Sequence, residues 1–284
     1  MDVTALVDRF GSNRINAARP AELFAACKPK ITCIAVPFVG GFSEVGHFSA
    51  NIISVNDKDA HVLNLAKIVR TDCDRLVAEL EATPYHPNVL AAAQEFCRAL
   101  DLPPDPRFRN FDSLFDHVAP DPFQWAYYYF ICSWMGRGGK GGTVGEFKQG
   151  LSVRWKSTGG DSVVRFRNAT QSLKEWQKIM QQCTFHVMDA FDFLAECQER
   201  DVPENGIYCD PPWVDLGDKY VHAFGKADHQ RLRDVLECFQ KSRVIVRYGD
   251  HPLVRQLYED WRWHMLSGRT QANDEQAELL LTNW

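Results

Sequence analysis

No stretch of this sequence reaches the roughly 18 consecutive apolar residues that a membrane-spanning helix requires, so no membrane association is expected. The opening residues MDVTALVDRFGSNR lack the basic-then-apolar layout of a secretory leader, and a cytoplasmic protein is expected. Cys-x-x-Cys pairs are missing too. The nine cysteines are scattered singly, and an odd, scattered set argues against both a disulfide framework and a zinc site. No metal is therefore expected, and cysteines inside apolar runs, such as Cys33 and Cys209, read as small core residues. There is no overall basic excess either: the formal net charge is −5, which excludes a chain that holds polyanions over its whole surface. Internal repeats and low-complexity tracts are absent.

What is present is an ordinary globular composition, 45% hydrophobic and 24% charged over 284 residues. That length suits one substantial domain carrying an insertion, working as a monomer or weak dimer. The charge is unevenly spread. Between Gly136 and Arg167 lie seven basic residues against Glu146 and Asp161, a local +5 that leaves −10 for the rest of the chain. The same stretch is rich in glycine, with nine of the 18 between Gly136 and Gly160. Only this region would attract a polyanion.

Short β-branched runs at Lys30–Val36 and Asn51–Val55 read as buried strands, and helical spacing follows from Ala60 to Val69. Further on, strands are expected at Phe185–Met188, Gly206–Cys209 and Arg243–Tyr248. They alternate with helices at Phe191–Glu199, His229–Gln240 and Pro252–Tyr258. This is the rhythm of a doubly wound parallel α/β sheet. Two closing strands, near Trp261–Leu266 and Ala277–Leu281, could form a hairpin. The middle of the chain breaks the rhythm. Residues 84–170, with helical stretches at Val89–Leu100 and Phe123–Ser133, read as an inserted, partly loop-built subdomain, leaving 1–83 and 171–284 as the main domain.

Chemistry concentrates in Ile207-Tyr208-Cys209-Asp210-Pro211-Pro212-Trp213. A carboxylate at a strand end lies where doubly wound sheets bind their ligands. The two prolines fix φ and remove two N–H donors, so Asp210 and the Pro211 carbonyl make a stiff pair of acceptors. An exocyclic amine offers two donors to such a pair, and Trp213 offers a flat face on which a base can stack. Accepting both amine hydrogens localises the nitrogen lone pair and aims it, so the work is positioning and electrostatics. The second constellation, Pro37-Phe38-Val39-Gly40-Gly41-Phe42, follows the first strand directly. Its paired glycines admit close approach of a ligand to the backbone, but its spacing is not that of a dinucleotide or phosphate loop. It suits a cofactor without phosphates.

Pro-Phe-Val-Gly-Gly followed far downstream by Tyr-Cys-Asp-Pro-Pro-Trp resembles the Dam-type, alpha-class family of DNA adenine N6-methyltransferases. The resemblance runs from about Phe10 to the closing Glu278-Leu279-Leu280. It implies a Rossmann-like S-adenosylmethionine-dependent methyltransferase sheet with a C-terminal β-hairpin and an inserted target-recognition subdomain. It also implies transfer of a methyl group from S-adenosylmethionine to the N6 amine of a flipped-out adenine in double-stranded DNA. Asp210, Pro211, Pro212 and Trp213 would be catalytic. Gly11, Asn13, Phe38, Gly40, Gly41, Asn56, Asp189 and Phe191 would line the cofactor pocket, and Asp210 would sit between cofactor and adenine. Ser54 stands where the family usually has an acid that holds the cofactor ribose, and Asp57 could substitute by a shifted turn. Arg137, Lys140, Lys148, Arg154 and Lys156, interleaved with Trp134, Phe147 and Trp155, would contact DNA, while Tyr220 and His222 could close over the base. Gly145-Glu146-Phe147-Lys148 resembles a stretch of the family's recognition region. Val36, Ser54 and Asn13 depart from the residues usual in the family. Two rival readings are methylation of another exocyclic amine (cytosine in DNA or adenine in RNA) and a non-catalytic DNA-binding module on the same scaffold.

Overall fold

A computed structural model describes residues 5–9, 15–100, 102, 121–137, 141–153, 161–269 and 275–284. The strands β1 (Cys33–Val36), β2 (Ile52–Asn56), β3 (Cys183–His186), β4 (Asn205–Cys209), β5 (Arg243–Gly249), β6 (Arg262–Arg269) and β7 (Glu275–Thr282) form one sheet. Their order is β3-β2-β1-β4-β5-β7-β6. The first five in that order run parallel, and the central β4 and β5 are buried almost throughout, as strands covered on both faces are. β7 pairs antiparallel with both β5 and β6. The strand order reverses at β1, which lies between β2 and β4, so the carboxyl ends of β1 and β4 flank the switch point where such sheets bind ligands.

Nine α-helices are found among the described residues: α1 (Arg19–Ala25), α2 (Ala60–Thr71), α3 (Cys73–Glu81), α4 (Pro87–Ala99), α5 (Pro122–Met135), α6 (Ser162–Met180), α7 (Ala190–Gln198), α8 (Lys226–Glu237) and α9 (Pro252–Leu257). Four begin the same way. The carboxylates of Asp59, Asp121, Asp161 and Asp189 each accept the backbone N–H two residues on, which satisfies one of the open donors of the first turn.

The helices lie on the two faces of the sheet as two apolar layers. One gathers α2 to α6 over β1 and β2; the other packs α7, α8 and α9 against β4, β5 and β7. Within the first, α5 is apolar on nearly every side because it is packed among α2, α4 and α6, burying Trp125, Tyr129, Phe130 and Trp134. The boundary expected at 170 falls inside α6. That helix was not expected from the sequence, although Phe166, Ala169, Leu173, Trp176 and Met180 recur on one face. Its outward face, with Arg167, Lys174 and Lys178, hides the pattern inside a polar composition. Helices α4 to α6 share their core with α2 and β1 rather than closing one of their own.

Candidate active site

The loop after β1 is held by the strand ends beside it. Val39 N–H donates to the Asn56 carbonyl, and Phe42 N–H turns back to the Val39 carbonyl. Gly40 takes φ +52°, a conformation that favours glycine, and a side chain there would point into open space. Phe42 also sits at positive φ, +66°, although it is fully buried. A backbone bent this way, with nothing over Gly40, leaves room for a ligand against the main chain.

Asp57, just past β2, binds this loop to the next. One carboxylate oxygen accepts Gly40 N–H at 2.9 Å and the other accepts Asp59 N–H at 2.9 Å. A carboxylate has about four acceptor positions, so two remain for a hydroxyl pair. Asn56 is placed differently. It is fully buried, its amide donates to the Pro37 and Met188 carbonyls, and its oxygen accepts Met188 N–H. It therefore ties the ends of β1, β2 and β3 together. Asp189 caps α7 through Phe191 N–H and pairs with Lys58 at 2.9 Å. Phe38 and Phe191 converge on one ring, Phe224, at centroid distances of 5.8 and 6.2 Å. The fold brings Phe38, Gly40, Asp57, Asp189 and Phe191 to one end of the sheet. Gly11 and Asn13 lie outside the described residues.

Across the switch point stands Asp210, one residue past β4. The register of Cys209 with Val246 sets it level with Arg247 of β5. Arg247 Nη1 donates to Asp210 Oδ2 at 2.8 Å, and Trp213 Nε1 donates to Oδ1 at a longer 3.3 Å. Arg247 is itself buried, and its Nε and Nη2 both donate to Oε2 of Glu278 on β7, at 3.2 and 3.0 Å. Its guanidinium lies 5.0 Å from the centre of the Trp213 ring. Burial pushes the Asp210 carboxyl above its ordinary range, and the charge and hydrogen bond of Arg247 oppose that shift. Below, Tyr208 donates to Glu44 at 3.2 Å. Glu44 is raised to about 7, first by burial and then by the negative charge of Asp210. Neither Arg247 nor Glu44 was expected from the sequence. The signal was available for the arginine, since a cation in the middle of the apolar run RVIVRYG needs a buried partner.

A second ionic cluster borders the loop after β1 and the turn after β2. Arg9 lies 3.2 Å from Asp59 and 3.8 Å from Asp57. Burial alone would raise Asp59, but Arg9 and then His61 outweigh it and hold the carboxyl below its ordinary value. Glu146, from the glycine-rich stretch, is buried in the same region and pushed to about 8 by burial and by the charge of Asp59. The segment after the tetrapeptide meets that stretch directly: Val221 N–H donates to the Gly142 carbonyl and Val144 N–H to the Lys219 carbonyl. Thr143 and Tyr220 face each other across this two-stranded contact. Tyr220 is pushed to about 12 by burial and by the charge of Asp210.

Among the residues expected to touch DNA, Arg137 and Lys148 are exposed, while Lys140, Arg154 and Lys156 lie outside the described residues. The expected interleaving with aromatics needs correcting for Trp134. It is buried in α5, with its indole N–H donating to the Leu6 carbonyl, because α5 faces the core rather than solvent. Arg165 pairs with Asp8 and stacks on Trp134, so it belongs to the fold.

A family model for D12 class N6 adenine-specific DNA methyltransferases matches residues 20–272. The chain belongs to this class. Among curated proteins, none matches it. As a D12-class enzyme it methylates adenine at N6 in DNA, and the family match spans both the Phe38–Gly41 loop and the Asp210 tetrapeptide. Among the described residues of this methyltransferase, no helix is long and apolar enough to cross a membrane.

Proposed function

We propose that this D12-class enzyme binds S-adenosylmethionine along the carboxyl ends of β1, β2 and β3 and methylates an adenine extruded from double-stranded DNA by direct in-line transfer. The observation that carries the reading is the place of Asp210. Its carboxylate stands at the switch point, part-exposed, across from a loop whose glycine opens onto empty space. When bound, the cofactor supplies an electrophilic sulfonium methyl group. Its fit rests on the donor set. Phe38, Gly40 and Gly41 offer backbone and an apolar wall, Asp57 keeps two acceptor positions for ribose hydroxyls, and Asp189 with Phe191 suits an adenine ring. Gly11 and Asn13 would close the same pocket from the N-terminal segment, with Asn56 acting through the backbone it ties together.

Asp210 and the Pro211 carbonyl accept the two hydrogens of the substrate amine, which localises its lone pair and directs it. Pro212 keeps the turn stiff, and Trp213 stacks on the extruded base. Exposed Arg137 and Lys148, with Lys140, Arg154 and Lys156, contact phosphates and hold the duplex over the site. The test is incubation with tritiated S-adenosylmethionine and duplex DNA or RNA, followed by identification of the labelled nucleoside. Label in N6-methyldeoxyadenosine, lost in Asp210→Ala with DNA binding retained, is expected. Label in RNA alone, or full activity of Asp210→Ala, would overturn the reading.

A further inference from the structure

A carboxylate that directs an amine lone pair must stay ionised and must keep one rotamer. Within the tetrapeptide, only the long 3.3 Å bond from Trp213 restrains Asp210. The short bond comes from outside, from Arg247 Nη1 at 2.8 Å. The arginine is in turn fixed from behind. Its other two donors converge on a single oxygen of Glu278, which also accepts from Asn16 Nδ2 at 3.2 Å. The three residues stand on adjacent strands: Asp210 at the end of β4, Arg247 in β5 opposite Leu280, and Glu278 two positions along β7. The guanidinium also reaches the Trp213 ring, so one side chain touches both the acceptor and the stacking face.

An ion pair this buried seldom returns more stability than apolar residues of the same volume would. Its presence in an otherwise apolar strand calls for another explanation, and orientation of the acceptor supplies one. Resting on the reading of Asp210 as the amine acceptor, we propose that Arg247 is its positioning residue. Anchored on Glu278, it grips Oδ2, leaving the loosely held Oδ1 to receive the substrate amine.

The charge environment supports this. Asp210 touches Arg247 and Trp213, and its charge is also felt by Tyr248 of β5, Glu278 of β7, and Tyr208 and Cys209 of β4. Glu44 from beyond β1 and Tyr220 from the following loop complete the surroundings. Arg247 is the cation that holds the Asp210 carboxyl down against burial, and Glu278 pushes it up. The two partners therefore have opposite signatures. Removing Arg247 raises the Asp210 pKa and moves the acid limb of the rate profile to higher pH. Removing the charge of Glu278 moves it to lower pH.

The experiment measures kcat, both KM values and the pH dependence of kcat for Arg247→Ala, Arg247→Lys and Glu278→Gln on duplex DNA, beside wild type and Asp210→Ala. For Arg247→Ala, kcat should fall by about a hundredfold or more while both KM values stay within about threefold. Added guanidinium should restore part of the loss. Arg247→Lys should fall between, since an ammonium keeps the charge but cannot bridge both carboxylates. If Arg247→Ala fails to fold, Arg247→Gln takes its place, and the opposite acid-limb shifts of Arg247→Gln and Glu278→Gln carry the test. A charge-removing Arg247 variant that keeps near-normal kcat, or leaves the acid limb where it is, would overturn the role of the arginine even with Asp210→Ala inactive. An active Asp210→Ala would instead overturn the reading of the aspartate on which it rests.

Discussion

Two buried arginines of this enzyme each face a pair of carboxylates, and they are built from different materials. Arg247 and Glu278 stand in the paired strands β5 and β7, and Asp210 follows β4 directly, one residue beyond its last pairing with β5. Arg9, Asp57 and Asp59 stand on an N-terminal segment and on the turn after β2, and Glu146 joins them from a glycine-rich loop. The first cluster is placed by the sheet and, on the reading proposed above, aims a reacting group. The second ties the N-terminal segment and the glycine-rich stretch to the turn after β2, and through Asp57 to the loop after β1. Similar residue types thus do separate jobs according to how stiff their supports are.

Substitutions can set the two clusters apart. The largest effect is expected in catalysis. Asp210→Ala should lower methyl transfer by about a thousandfold or more, since the localising acceptor is gone. Its urea midpoint should fall by less than that of Asp59→Ala, because Arg247 keeps Glu278 and the Asp210 carboxylate is part-exposed; a larger fall would make Asp210 chiefly a structural residue. In the loop-built cluster the loss should appear in folding. Asp59→Ala removes the nearer partner of Arg9 and the cap of α2, and should cost about 3–5 kcal/mol in urea denaturation. An unchanged midpoint would mean the cluster is held by its other members.

Gly142→Ala tests the same cluster more gently. Gly142 has φ +75°, and a Cβ there would come within 2.2 Å of Arg9 Nη2. A loss of about 1–3 kcal/mol is expected. The pH dependence gives a further separation. Glu146 is raised in the folded state to about 8 and Glu44 to about 7. A carboxyl raised on folding contributes stability that is fully present below its unfolded pKa and is lost as pH rises through the folded value. Stability should therefore decline from about pH 5 to about pH 8, and Glu146→Gln should remove the upper part of that slope, on the order of 1–3 kcal/mol. Equal slopes in both proteins would show that Glu146 is ionised throughout. The smallest change is expected at the surface. Arg137→Ala or Lys148→Ala should each raise KM for DNA several-fold and reduce the salt slope of binding by about one, with kcat retained.

Much of this arrangement is legible in the order of residues alone. β1, β2, β4 and β5 announce themselves as short β-branched runs because a central parallel strand is buried on both faces. Asp210 and the Gly40 turn are legible because prolines and glycines mark where strands end. What stays hidden depends on partners distant in sequence. Nothing local tells that Asn56 spends its whole amide on the ends of neighbouring strands, or that Trp134 turns inward. Helix α6 is hidden by its own polar face. Arg247 and Glu278 are 31 positions apart, and only the insertion of β7 beside β5 brings them together. Pairing of that kind is a property of topology, which composition and periodicity do not carry.

That insertion has a consequence for how activity arises during synthesis. β7 follows every other strand of the sheet in chain order, yet it lies between β5 and β6 and carries the anchor of the arginine. A chain emerging from the ribosome exposes Asp210 some seventy residues before Glu278, several seconds earlier at ordinary elongation rates of about 5–20 residues per second. Until β7 threads in, Arg247 lacks Glu278, and on the role proposed for the arginine Asp210 is not yet aimed. On that reading, nascent or prematurely released chains would carry the whole tetrapeptide and still leave nearby DNA unmarked.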